Sequence, residues 1–111
     1  MAVLAYVEDL FFRSKLETAA RVLRVPLEVA SGSPPAGGPW DTVLVDLALN
    51  RTDPMALAGE LRRACPQARL IAYGAHVDRA RLERARAAGY DRVLSHAELV
   101  ARLPELLQGQ G

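Results

Sequence analysis

The feature that most constrains this chain is a rhythm of short apolar runs. They occur at "AVLAYV" (2–7), "LEVA" (27–30), "TVLVDLA" (42–48), "RLIAYG" (69–74) and "RVLS" (92–95). Runs this short and this uniformly apolar read as strands, and the longer ones as strands buried on both faces. Most of the intervening segments carry apolar residues at helical spacing instead. Alternating strands and helices imply a parallel sheet with helices packed on both sides.

The helices announce themselves by their ends. Phe12, Leu16, Ala19 and Leu23 fall at i, i+4, i+7 and i+11, one face of a helix that Pro26 closes. Asp53-Pro54 is an N-cap acid followed by proline at the first helical position; Leu57 and Leu61 form the inward stripe, and Pro66 ends it. Asp78 caps a helix carrying Leu82 and Ala85, with Gly89 as its terminating glycine. "SHAE", 95–98, is a capping box opening a last helix with Leu99, Leu103 and Leu106 inward, which Pro104 is predicted to kink.

The predicted order is βαβ-loop-βαβαβα, a doubly wound α/β domain spanning residues 1–111, with a five-stranded parallel sheet in the order 2-1-3-4-5. The loop "SGSPPAGGPW", 31–40, stands where a second helix belongs. About eleven residues span at most ~36–40 Å when extended, enough to cross back over one strand without a helix. That helix is predicted to be missing or reduced to a turn, with Trp40 plugging the apolar surface it leaves bare.

Charge is balanced: 14 Lys and Arg against 13 Asp and Glu give a net +1, so no bulk field recruits nucleic acid or an anionic membrane. Arg79, Arg81, Arg84 and Arg86 have no aromatic residues between them and read as a solvated, ion-paired helix face. Cys65 stands alone, so no internal disulfide forms; before Pro66 it reads as a small buried hydrophobe. No apolar run approaches the ~18 residues of a membrane span. Met1 leads directly into a strand without a basic region or cleavage site, which predicts a cytoplasmic protein. Arginine almost wholly replaces lysine, Lys15 excepted, and Asn50 is the one asparagine. This bias fits a hot habitat and a GC-rich genome equally.

Candidate chemistry lies at the carboxyl ends of the strands, where open α/β sheets bind ligands. Glu8 and Asp9 follow the first strand, and Asp46 interrupts the third near its end. On the predicted topology the three share one rim, where they repel one another and raise each other's pKa. A hard divalent cation such as Mg2+ suits three such carboxylates, whereas "VEDLFF" would repel the phosphate of a flavin. Other readings stay open. Asp46 can be an ordered carboxylate held by backbone N–H groups or an arginine, and Asp9 can cap the first helix while Glu8 is solvated. His76 and His96 fall near the same edge and, with Asp46, make up a two-histidine, one-carboxylate metal set, although two exposed loop histidines account for them equally simply. Lys15 can reach toward the pocket or belong to a solvated face.

The acidic pair in "VEDLFF", the aspartate in "VLVDLA" and the stretch "RARAAGYDRVLS" together resemble receiver domains of two-component response regulators, over nearly the whole chain. The resemblance implies a flavodoxin-like fold, with Asp46 at the phosphoacceptor position and Glu8 and Asp9 at the positions that help hold Mg2+. Three family positions are replaced. Gly74 stands where receivers carry a Thr or Ser hydroxyl, Val93 where they carry an aromatic switch residue, and His96 where they carry a lysine. Phosphoryl transfer depends on positioning and charge neutralisation. Histidine supplies charge only part of the time near neutral pH.

These replacements imply a stand-alone atypical receiver, or pseudo-receiver, acting by protein–protein contact rather than as an enzyme. Its partners would be a histidine kinase, a downstream effector or a second copy of itself, with no nucleic acid and no membrane. Two alternatives are a Mg-dependent phosphoacceptor working through Asp46 in a phosphorelay, and a small metal-dependent hydrolase using the acids with His76 or His96.

Overall fold

The computed structural model describes residues 2–110; Met1 and Gly111, on which the expectations about the chain's ends rest, lie outside it. The elements in chain order are β1 (Val3–Tyr6), α1 (Leu10–Leu23), β2 (Leu27–Val29), β3 (Thr42–Asp46), α2 (Pro54–Ala64), β4 (Arg69–Gly74), α3 (Arg79–Ala88), β5 (Arg92–Ser95), α4 (His96–Ala101) and α5 (Leu103–Leu107). The five strands form one sheet in the order β2-β1-β3-β4-β5. Every pairing is parallel, as the alternation of strands and helices predicts.

The sheet has apolar side chains on both faces because both are covered. Val3, Ala5, Leu44, Ile71 and Tyr73 meet α1, α4 and α5 through Phe12, Leu16, Leu99 and Leu106. Leu4, Tyr6, Val43, Val45 and Ala72 meet α2 and α3 through Leu57, Leu61 and Ala85. At roughly 1.5–3 kcal/mol for each fully buried large aliphatic side chain, these two layers are the main stabilising contribution. Asp46 follows Leu44 by two positions, so the two-residue period of a strand turns it toward the α1 side.

Each predicted cap is made. Asp9 Oδ1 accepts the N–H of Phe11 at 2.9 Å and of Phe12 at 3.3 Å. Asp53 Oδ1 accepts from Met55, and Asp78 Oδ1 from Arg81. Ser95 and Glu98 exchange the two hydrogen bonds of a capping box, at 2.8 and 3.1 Å. Cys65 is buried, and burial pushes its thiol pKa up.

No helix forms between β2 and β3, and Trp40 packs against the α2–α3 side, as the loop composition predicts. Strands β1 and β2 are shorter than their apolar runs, and two larger details also depart from the sequence reading. Strand β3 ends at Asp46, and Leu47 and Ala48 belong to a turn closed by the Ala48 N–H donating to Asp46 Oδ1. The last helix is not kinked at Pro104 but divided: α4 stops at Ala101, and Pro104 occupies the first turn of α5. Proline lacks the N–H that would continue α4, yet costs nothing in a first turn, where such groups go unpaired anyway. Among the described residues no helix is long and apolar enough to cross a membrane.

Candidate functional site

The strand register gathers the candidate residues at one edge. Tyr6 pairs with Val45, Asp46 with Tyr73, and Gly74 with Ser95, so the ends of β1, β3, β4 and β5 form a single rim. On the α1 side of that rim lies a pocket of about 370 Å³. Asp9, Asp46, Tyr73, Gly74, Arg81 and His96 are among its walls.

Glu8 does not join them. It turns to the other side of β1, toward a pocket of about 520 Å³ that Asp46 does not touch. Its Oε1 and Oε2 accept the N–H groups of Asn50 and Arg51 at 2.8 and 3.0 Å. Those two bonds hold its pKa below the usual carboxylate range. Glu8 is therefore not freely solvated and does not line the Asp46 pocket, although its charge still reaches Asp46; it pins the loop between β3 and α2.

Asp46 has the opposite environment. Burial pushes its pKa up, and the charges of Asp9 and Glu8 add to the effect; the Ala48 N–H and His96 oppose it. The like-charge repulsion expected between the acids is present, but desolvation dominates. Among the described residues, no three His, Cys, Asp or Glu side chains converge to hold a metal ion. Glu8, Asp9 and Asp46 do not converge as the sequence predicts, because both oxygens of Glu8 face the 50–51 backbone.

His96 is the first residue of α4 rather than a loop residue, and its ring lies 4.5 Å from that of Phe12 and 5.8 Å from that of Tyr73. It shares the Asp46 pocket, whereas His76 opens onto a different one beside Arg79 and Glu83. The two-histidine metal set is accordingly not formed. Lys15 is exposed on α1 and does not reach the pocket. Val93 packs against the α2–α3 core. Gly74 is buried, and a Cβ there would sit 3.3 Å from Leu47 Cδ1 and 3.4 Å from Leu47 Cβ. Leu47 is itself fully buried, so a side chain on Gly74 fits only if Leu47 shifts by a few tenths of an ångström.

Two residues of the pocket escape sequence reasoning. Arg81 belongs to the arginine-rich helix face, yet its guanidinium donates to the Leu47 carbonyl at 3.0 Å and pairs with Asp78 at 3.3 Å. It ties α3 to the turn after Asp46. Tyr73 is fully buried with a hydroxyl that has no hydrogen-bond partner among the described residues. Its position opposite Asp46 in the ladder was the available signal, since paired residues of neighbouring strands share a face.

No family model and no curated relative matches the sequence. Solved structures do match in shape. A two-component response regulator from Clostridium difficile superposes with a TM-score of 0.78 at 14% identity, over 97% of this chain and 95% of the other. A CheY-like response regulator receiver domain protein from Methanospirillum hungatei gives 0.76 at 14% identity, over 96% and 93%. A response regulator from Burkholderia pseudomallei, solved with a phosphorylated aspartic acid, a calcium ion and citrate, gives 0.76 at 18% identity; the match covers 91% of this chain and 64% of that one. Element order, sheet topology and these superpositions agree that the chain has the fold of a response-regulator receiver domain.

Proposed function

We propose that this protein is an atypical receiver: a cytoplasmic signalling module that works by contact with another signalling protein, a kinase or an effector, and not by catalysing phosphoryl transfer. The observation that carries the reading is the bare Gly74. Where a hydroxyl would coordinate a phosphoryl group there is no side chain, and a Cβ there would press on Leu47 Cδ1 at 3.3 Å, so a hydroxyl returns only if Leu47 gives way. The replacement of the lysine by His96 and the diversion of Glu8 to the 50–51 backbone support the same reading. The reading contains no Mg2+ step.

One observation favours a second reading, the phosphoacceptor. Asp46 keeps its place at the carboxyl end of β3 and opens into a pocket, the geometry an in-line donor needs. Incubation with acetyl phosphate or beryllofluoride, with and without Mg2+, separates the two. Atypical function predicts unchanged intact mass and unchanged amide resonances near Asp46. A Mg2+-dependent adduct on Asp46 establishes the phosphoacceptor instead.

A further inference from the structure

The crevice on the Glu8 side of β1 has no part in the Asp46 chemistry, and the two pockets share no residue. It lies where the connections of the sheet diverge: the chain leaves β1 for the face covered by α1 and leaves β3 for the face covered by α2. Open α/β sheets take ligands at that point. Four segments wall the crevice: the end of β1, the first turn of α1, the end of β2 and residues 49–52 before α2. No helix follows β2, so none closes it from that side. Backbone bonds hold the walls in place. Glu8 accepts the N–H groups of Asn50 and Arg51, and the Ala30 N–H donates to the Ala5 carbonyl at 2.9 Å. The crevice is therefore preformed, and its volume of about 520 Å³ is that of a small-ligand site.

Two features of the walls identify the occupant. The first is apolar surface that packing does not use. Leu10 is 73% exposed although it lines the crevice itself, and Val29, Ala30 and Leu49 in the same walls are only half-buried. The second is positive charge that the fold does not use. The Arg51 guanidinium is exposed, makes no hydrogen bond among the described residues and meets Glu8 only as a charge. Arg13 spends only its Nε, on Glu17 at 3.4 Å, so both terminal nitrogens of its fork stay open. We infer that this crevice binds a small organic monocarboxylate with an apolar body, the carboxylate paired with Arg51 and Arg13 and the body against Leu10, Val29 and Leu49. The fork of a guanidinium matches the two oxygens of a carboxylate. One negative charge is the right amount. Two arginines against Glu8 leave the walls with a single net positive charge, and the second charge of a phosphate monoester would face Glu8 uncompensated. Glu8 itself only fixes the wall, because backbone N–H groups face both of its oxygens. Walls from four segments suit a free molecule, where a protein partner needs a broad face. The site gives the module a chemical input that involves no phosphoryl group, and it stands whether or not Asp46 accepts one.

The probes are n-octanoate and 3-phenylpropanoate, a straight and an aromatic body, with n-octanol as the uncharged control and n-octyl phosphate at pH 8 as the dianion. Binding is followed by amide NMR shifts on the intact protein. At least one acid should give saturable shifts at Leu10, Ala30 and Leu49 below about 10 mM, with the alcohol at least about tenfold weaker than octanoate and the phosphate about threefold weaker. Arg51→Gln and Arg13→Gln should each weaken the acid about threefold and together about tenfold, and Leu10→Ser about threefold. All three side chains are exposed, and thermal melts verify that each variant folds. Absence of saturable shifts with both acids overturns the inference, as does equal binding of octanoate and octanol, or a double arginine variant that binds like the parent. So does tighter binding of the phosphate, or a set of shifts confined to Gly74 and His96 at the Asp46 pocket. The capped peptide acetyl-Leu-Leu-Glu-amide tests a protein as the source of the carboxylate; affinity above that of both acids overturns the assignment to a free molecule.

Discussion

Glu8 and Asp46 are two carboxylates on one rim of one sheet, and they live under opposite regimes. Glu8 has both oxygens occupied by backbone N–H groups and a lowered pKa. Asp46 has one such bond, a desolvated pocket and a raised pKa. The first group stabilises the fold as an anion. The second is tolerated by it. Groups left in poor environments are where function is commonly found, since folding alone does not account for them. Glu8 itself therefore reads as scaffold and the Asp46 side as working surface.

Substitutions sharpen that contrast, beginning with the largest effect. Gly74→Thr tries to return a hydroxyl to the Asp46 side; overpacking against Leu47 should destabilise the fold by about 1–3 kcal/mol in urea melts. A near-neutral result would mean that Leu47 yields, which would remove the main support for lost phosphotransfer.

Glu8→Ala should cost stability at neutral pH and speed amide exchange at Asn50 and Arg51. Because the folded-state pKa of Glu8 is lowered, its contribution is present above the unfolded-state pKa and is lost as pH falls through the folded one. Parent and variant should therefore converge in acid.

On the other side of the rim the signs reverse. Tyr73→Phe removes an unpaired hydroxyl and should stabilise the free protein by about 1 kcal/mol. Asp46→Asn should stabilise it by a few tenths to about 1 kcal/mol at pH 7. Here the folded-state pKa is raised, so the penalty of ionisation applies at high pH and fades as pH falls through it. The gain from Asn should fade with it. If Glu8→Ala and Asp46→Asn shifted thermal stability in the same direction, the division of the rim into scaffold and working surface would be wrong.

The fold was largely legible because its signals are local. Alternating runs marked the strands, and Asp9, Asp53, Asp78 and the Ser95–Glu98 pair marked helix starts that the structure makes as read. The site was legible only in outline. Strand order brings Asp9, Asp46 and His96 to one pocket, as their positions imply. The aim of Glu8 was not legible, because it depends on loop backbone 42 and 43 residues away. Arg81 was missed for the same reason: its partner, Leu47, lies 34 residues earlier, and local spacing shows only a charged helix face. The break before α5 was half legible, since Pro104 marks an interruption without deciding between bend and restart.

The helix-free crossing between β2 and β3 has a practical consequence. Residues 31–39 contribute nothing to the strand ladder, and most are exposed. Segments of that kind accept foreign sequence readily. A fluorescent reporter spliced between Ser33 and Gly37 would ride on the β2 edge, while the sheet that builds the Asp46 rim stays intact.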